Sequence, residues 1–215
     1  MTKPLLFGYF RSSAAYRVRA ALAWKGIEFD TRPVHLVKGE HRADDYLDLQ
    51  PQGLVPALQI DGHTLGQSMA ILEYLEETRP EPALLPKDAA GRAAVRWMAE
   101  LIVADIHPIN NLRIGSYLRG TLGQGDEGVQ TWMHHWMAEG FAALETLVSA
   151  HGGTYCHGDA LSFADLCLVP QMYNARRFGL DLAPYPLITA IDERCRALPA
   201  FEAAHPDNQA DTPKS

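Results

Sequence analysis

Phe10-Arg11-Ser12-Ser13-Ala14-Ala15-Tyr16-Arg17-Val18-Arg19 carries the chain from an apolar run, residues 5–10, into a helical pattern with almost no loop between them. The run predicts a strand. Beyond it Ala14, Ala15, Val18, Ala21 and Leu22 recur on one helical face until Gly26 ends the pattern, and Ser12 or Ser13 supplies the N-cap. Such a helix start presents unpaired backbone N–H groups, a partial positive charge and two hydroxyls. It suits an anion, and a thiolate is one. The same serines would also serve a helix that needed only a cap, so residues further along the chain must decide between the two uses.

Residues 28–34 predict a second strand, and strand, helix, strand at this spacing predicts a right-handed βαβ unit. Residues 38–48 are charged and predict a loop with a short helix, and His35 just before them and His41 within them read as solvated surface. Leu54-Val55-Pro56 then leads into a strand ending at Ile60, and Asp61-Gly62 predicts a tight hairpin. Pro56 fits the strand start either with a trans bond or with a cis bond that exposes the backbone of Val55. Gln67-Ser68 opens a helix bearing Ile71, Leu72 and Leu75 on one face. If both serine-bearing helix starts face one cleft, two dipoles and the Val55 backbone could hold an extended peptide-like anion. Each helix terminus contributes about 0.3 to 1 kcal/mol, so neither suffices alone.

Residues 81–87, with Pro82 and Pro86, read as a linker. Residues 88–215 carry helical periodicity throughout, with helices expected at 89–118, 128–150, 163–178 and 186–198. Ser162-Phe163-Ala164-Asp165 has the form of a capping box. The polar stretch 203–215 is expected to fray. The reading is therefore an α/β unit over 1–80 followed by an all-α unit over 88–215.

With 19 basic against 26 acidic residues, net charge −7, the chain has no general attraction to nucleic acid or anionic lipid, and positive charge at any site must be local. Three cysteines without CxxC spacing argue against a disulfide framework and a structural zinc site, so no metal is expected. No run is long enough to span a bilayer and the first residues lack a signal-peptide pattern, which points to the cytoplasm.

Phe10-Arg11-Ser12-Ser13 with Arg17-Val18-Arg19-Ala20-Ala21-Leu22 resembles the signature of zeta-class glutathione transferases. The likeness continues in Leu54-Val55-Pro56, Gln67-Ser68, Asp105-Ile106-His107-Pro108-Ile109-Asn110-Asn111, Phe163-Ala164-Asp165, Leu168-Val169-Pro170-Gln171 and Ala175-Arg176-Arg177-Phe178, in the family's order along nearly the whole chain. The resemblance implies a thioredoxin-like βαβ-ββα unit with a cis proline at Pro56, an all-helical glutathione-transferase unit, a homodimer, and glutathione as cofactor. It implies cis–trans isomerisation of maleylacetoacetate to fumarylacetoacetate, with maleylpyruvate as the substrate of a bacterial branch. A general transferase or dehalogenase and a non-catalytic glutathione-binding module are the other readings. Ala14 stands where the family has a cysteine, and Tyr16 where it has a tryptophan. Thiol activation then falls to Ser12, Ser13 and the helix start.

The resemblance further assigns Val55 to the cysteinyl backbone of glutathione, Gln67 and Ser68 to its γ-glutamyl end, and His107 and Asn110 to contacts from the second unit. Arg11, Arg113 and Arg177 become candidates for gripping a small dicarboxylate, since a guanidinium holds a carboxylate through two hydrogen bonds. Arg17, Arg19 and Arg176 read as surface or structural residues. Lowering a thiol pKa from ~8.5 to ~6.5 requires about 2.7 kcal/mol in favour of the thiolate. A hydroxyl donating to a charged acceptor contributes about 1.5 to 3 kcal/mol, so one serine and a helix start are adequate.

Overall fold

The structure, a computed structural model, describes residues 2–213. Of these, the residues up to Ala83 and those from Arg196 onward form one compact unit, and Leu84–Cys195 form another. In the first, β1 (Leu5–Gly8), α1 (Ser13–Trp24) and β2 (Asp30–Pro33) make the expected βαβ unit, with Leu5 opposite Asp30 in a parallel pair. β3 (Ala57–Ile60) and β4 (His63–Gly66) complete a sheet of order β2-β1-β3-β4, in which both added pairings are antiparallel. Asp61 and Gly62 turn the hairpin with φ of 52° and 79°, the paired positive values that a two-residue type I′ turn needs.

Strand alternation sends Leu6 and Leu58 to one face, where they join Leu22 of α1 and Ile71, Leu72 and Leu75 of α3 (Ser68–Thr78), all fully buried. Burying each such aliphatic chain stabilises the fold by roughly 1.5 to 3 kcal/mol. Phe7 and Ala57 point the other way and pack with Val34 and with Tyr46 of α2 (Asp44–Leu49), which follows a 3₁₀ turn at Glu40–Arg42. The Tyr46 hydroxyl donates to the Leu54 carbonyl at 2.7 Å, and burial pushes its pKa up to about 12, so it stays a donor.

Of the stretch expected to fray, residues 203–213 do not, and 214–215 lie outside the described residues. α9 (Pro199–Ala204) packs on α1: the Tyr16 hydroxyl donates to the Phe201 carbonyl at 3.2 Å, and Arg19 Nε to the Ala204 carbonyl at 3.0 Å. Asp211 then accepts from the Phe10 amide at 2.9 Å. With its sides covered, α1 is buried from Ser13 to Leu22, so Arg17 and Arg19 lie inside the unit, each held by hydrogen bonds as buried charge requires. At the far end of α1, the Lys25 ammonium donates to Glu76 (2.9 Å) and to the carbonyls of Arg79 (2.8 Å) and Pro82 (3.0 Å).

The second unit is helical: α4 (Ala89–Glu100), α5 (Leu112–Gly120), α6 (Asp126–His151), α7 (Phe163–Arg177) and most of α8 (Pro186–Arg196). The single helix expected over 89–118 is broken. α4 widens into a π turn at Leu101–Ile106 and tightens into a 3₁₀ turn at His107–Ile109, and α5 starts afresh under Asn111, whose side chain accepts from the Ile114 amide at 3.2 Å. Pro108 brings no N–H to an α-helical ladder, which is the local reason. α7 is almost entirely buried and begins with the capping box read from sequence: Asp165 accepts from Ser162 N–H and hydroxyl and from the Cys156 amide, each at 2.8 Å.

No helix among the described residues is long and apolar enough to cross a membrane, and no cluster of metal-ligating side chains is found among them. Cys156, Cys167 and Cys195 are unbridged and buried, and burial pushes the Cys156 and Cys195 thiols up, away from reactivity.

Candidate functional site

The start of α1 separates the two serines. Ser12 is the N-cap: its backbone is extended, and its Oγ accepts from the Ala15 amide at 3.1 Å. A hydroxyl that accepts one bond in this way keeps its own proton to donate. Ser12 is half-buried, whereas Ser13 is 3% exposed within the helix. Arg11, just ahead, lays its guanidinium over the rings of Tyr9 and Phe10, with centroids 5.8 and 5.3 Å away.

The start of α3 is built differently. Gln67 sits at φ 62°, ψ 119°, a sparsely populated conformation for a residue with a side chain, and Ser68 behind it is buried. Ser68 Oγ accepts from Arg17 Nη1 at 3.1 Å, so the guanidinium on the second turn of α1 is tied to the first turn of α3. From sequence Arg17 reads as a surface or structural residue; it lies inside the core and supports Ser68. Its place between the apolar positions Ala14, Val18 and Ala21 was the available signal.

Val55 is half-buried and joined to Pro56 through a cis bond. Gln67 Nε2 donates to Gln52 Oε1 at 2.9 Å, on the turn leading to Val55. Gly53 in that turn has φ +57°, and a Cβ there would stand 2.8 Å from the His41 carbonyl, so only glycine lets the 3₁₀ turn approach. The solvated reading of His41 does not hold: its Nδ1 is buried without a hydrogen-bond partner among the described residues, and burial lowers its pKa. A separate cavity of about 300 Å³ lies between β2 and α2, floored by Phe7 and Tyr46, and no candidate site residue lines it.

In the second unit, His107 opens the 3₁₀ turn and Asn110 closes it, with the Asn110 amide donating to the His107 carbonyl at 3.2 Å. Asn110 is 3% exposed, and neither its Oδ1 nor its Nδ2 has a partner among the described residues. A buried amide left unpaired on both sides is expensive in a folded protein, which makes Asn110 a candidate for contact with a ligand or an ordered water. Arg113 lies exposed in the first turn of α5. Arg177 ends α7, exposed, with its guanidinium 4.3 Å from the Phe178 ring centroid and Nη2 donating to Asn174 Oδ1 at 3.3 Å. Arg176 instead pairs with buried Asp192, a structural use.

The chain matches known proteins along its length. Residues 4–77 match the family described as Glutathione S-transferase, N-terminal domain, and residues 123–203 that described as Glutathione S-transferase, C-terminal domain. It is 47% identical over 213 residues to the maleylacetoacetate isomerase of Rattus norvegicus, covering 98% of this chain and 96% of that one. Among solved structures it resembles the holo form of a maleylpyruvate isomerase, described as a bacterial glutathione S-transferase of the zeta class, with a TM-score of 0.95 and 46% identity over 97% of this chain and all of that one. It also resembles the maleylacetoacetate isomerase of Anaeromyxobacter dehalogenans, solved with dicarboxyethyl glutathione and citrate in its active site. The TM-score there is 0.87, at 46% identity over 99% of this chain and 98% of that one.

Proposed function

This chain belongs to the glutathione S-transferase family, in its zeta class, and from that premise we propose that it is a glutathione-dependent cis–trans isomerase converting maleylacetoacetate to fumarylacetoacetate. The observation that carries the reading is the N-cap of α1, where Ser12 Oγ accepts from Ala15 and keeps a proton to donate. The residues present fit glutathione. Asn110, one of the candidate contacts, holds buried polar atoms on both sides of its side-chain amide that lack partners among the described residues.

The chemistry glutathione supplies when bound is reversible addition of its thiolate to the cis double bond, rotation about the single bond so formed, and loss of the thiolate to leave the trans isomer. Ser12 donates its hydroxyl proton to the sulfur as a hydrogen bond, and the leading amides of α1 add their partial positive charge. Ser13, buried in the helix, supports that turn from behind. Ser68, with Arg17 on its oxygen, donates to the γ-glutamyl carboxylate, while Gln67 holds the same end and Val55 pairs with the cysteinyl backbone. His107 and Asn110 contribute from the second unit. Arg11, Arg113 and Arg177 concentrate positive charge for a dicarboxylate on an otherwise acidic protein. Citrate and dicarboxyethyl glutathione in the Anaeromyxobacter relative support that class of ligand.

Maleylpyruvate is the second reading, favoured by the 0.95 TM-score to a maleylpyruvate isomerase and by Arg113 just after the His107–Asn110 turn. The working form is taken to be a cytoplasmic homodimer, supported by three unbridged cysteines and by Trp97 standing 60% exposed on α4. The deciding experiment follows substrate absorbance with purified protein, with and without glutathione. Faster turnover of maleylacetoacetate than of maleylpyruvate supports the first reading, the reverse supports the second, and turnover of neither removes both.

A further inference from the structure

α6 packs against the irregular segment that carries His107 and Asn110, and two of the contacts flank those residues. Gly140 stands against Ile106: a Cβ on Gly140 would lie 2.4 Å from both Ile106 Cγ1 and Cδ1, so the buried Ile106 side chain occupies the space a larger residue would take. Two turns earlier on the same helix, Trp132 Nε1 donates to the Ile109 carbonyl at 2.8 Å. Ile106 immediately precedes His107, and Ile109 immediately precedes Asn110. The π turn and the 3₁₀ turn lack the regular i→i−4 ladder that would fix a helix's own register, so the segment takes its depth and rotation from what it packs on.

We infer that Trp132 and Gly140 are positioning residues, which set where His107 and Asn110 stand and so tune glutathione binding. The inference rests on the reading that His107 and Asn110 contact glutathione. Neither α6 residue belongs to the motifs that carry the family likeness; each acts through the residue one place ahead of a candidate contact.

The test measures KM for glutathione, kcat and Tm for Trp132→Phe, Gly140→Ala, Gly140→Ala/Ile106→Ala, and His107→Ala/Asn110→Ala. Losing one neutral hydrogen bond corresponds to about a threefold to tenfold rise in KM for Trp132→Phe, with kcat little changed. Gly140→Ala raises helix propensity, which offsets part of the cost of pushing Ile106 aside, so KM rises by more than any fall in Tm accounts for. Ile106→Ala in that background makes room for the new methyl and returns KM toward wild type even though the lost core volume lowers Tm. A role in stability alone would move Tm in all three and leave KM where it was, which overturns the inference. If His107→Ala/Asn110→Ala leaves KM unchanged, the underlying contact reading fails and the inference falls with it. If that double variant raises KM while Trp132→Phe and Gly140→Ala do not, only the positioning role is refuted. Where all of them raise KM, adding Trp132→Phe to the double variant should change KM no further, and an additional rise would give Trp132 a route of its own and refute its action through Asn110.

Discussion

Replacing Ser12 separates two jobs of one hydroxyl, the cap that the structure shows and the donor role proposed above. Its oxygen caps α1 by accepting from Ala15 at 3.1 Å, and its proton is the donor proposed for the glutathione sulfur. Alanine removes both functions, and as an N-cap it costs about 0.5 to 2 kcal/mol, whereas glycine costs only a few tenths. A hydrogen bond to a charged acceptor contributes about 1.5 to 3 kcal/mol, so either variant should raise the pKa of the bound thiol by about 1 to 2 units. In a chain of this size 1 kcal/mol moves Tm by about 2 to 4 °C, so only Ser12→Ala should melt measurably earlier. The assay titrates the ultraviolet absorbance of bound glutathione thiolate against pH, beside a calorimetric scan. Both variants should shift the titration alike and differ in Tm. A titration that stays put in both, with Tm lowered in Ser12→Ala, would leave a cap and nothing more.

Arg177→Ala should raise KM for dicarboxylate substrates by about tenfold or more, as expected for a lost charged hydrogen bond, and spare neutral haloalkane conjugation; an equal loss on both would make the arginine structural. Lys25→Met removes a buried ammonium from Glu76 and two carbonyls and should destabilise by about 3 to 5 kcal/mol in urea unfolding, with Lys25→Met/Glu76→Leu recovering much of it. A single-variant loss below about 1 kcal/mol would contradict that account. Burial, helped by the charges of Arg196 and Arg19, lowers the pKa of His205, and Asp207 offsets this only in part. The unfolded chain therefore takes up the proton first, and this contribution to stability is full above the unfolded value near 6.5 and is lost as pH falls through the folded one. Thermal scans across that window should slope less in His205→Asn than in the parent, and parallel slopes would remove His205 from the account.

The parts legible in the sequence were those with local causes. The Ser12-Ser13 pair before an apolar helical face, Asp61-Gly62 between two strands, and Ser162 three residues ahead of Asp165 each announce a turn or cap, and each turn or cap is found there. What sequence hid was set by distant neighbours. Arg17 and Arg19 carry charges that composition sends to the surface, but the Ser68 hydroxyl and the Ala204 carbonyl that help receive them lie far along the chain. The break after Glu100 was hidden because π and 3₁₀ turns keep apolar residues inward at nearly helical spacing, and Pro108 alone did not say how the register would be lost. At the site, the motif pointed to the serine pair, and only burial and hydrogen bonding assigned capping to Ser12 and interior packing to Ser13.

The return of α9 to α1 has a consequence for how the protein is made. Tyr16 and Arg19 meet their carbonyl partners 185 residues later in the chain, so at cellular translation rates they wait about 10 to 40 seconds on the ribosome for those partners to emerge. The unit whose synthesis begins first is therefore completed last. A nascent chain stalled before Phe201 holds every candidate thiol-activating residue yet leaves the outer flank of α1 open to water, chaperones and proteases.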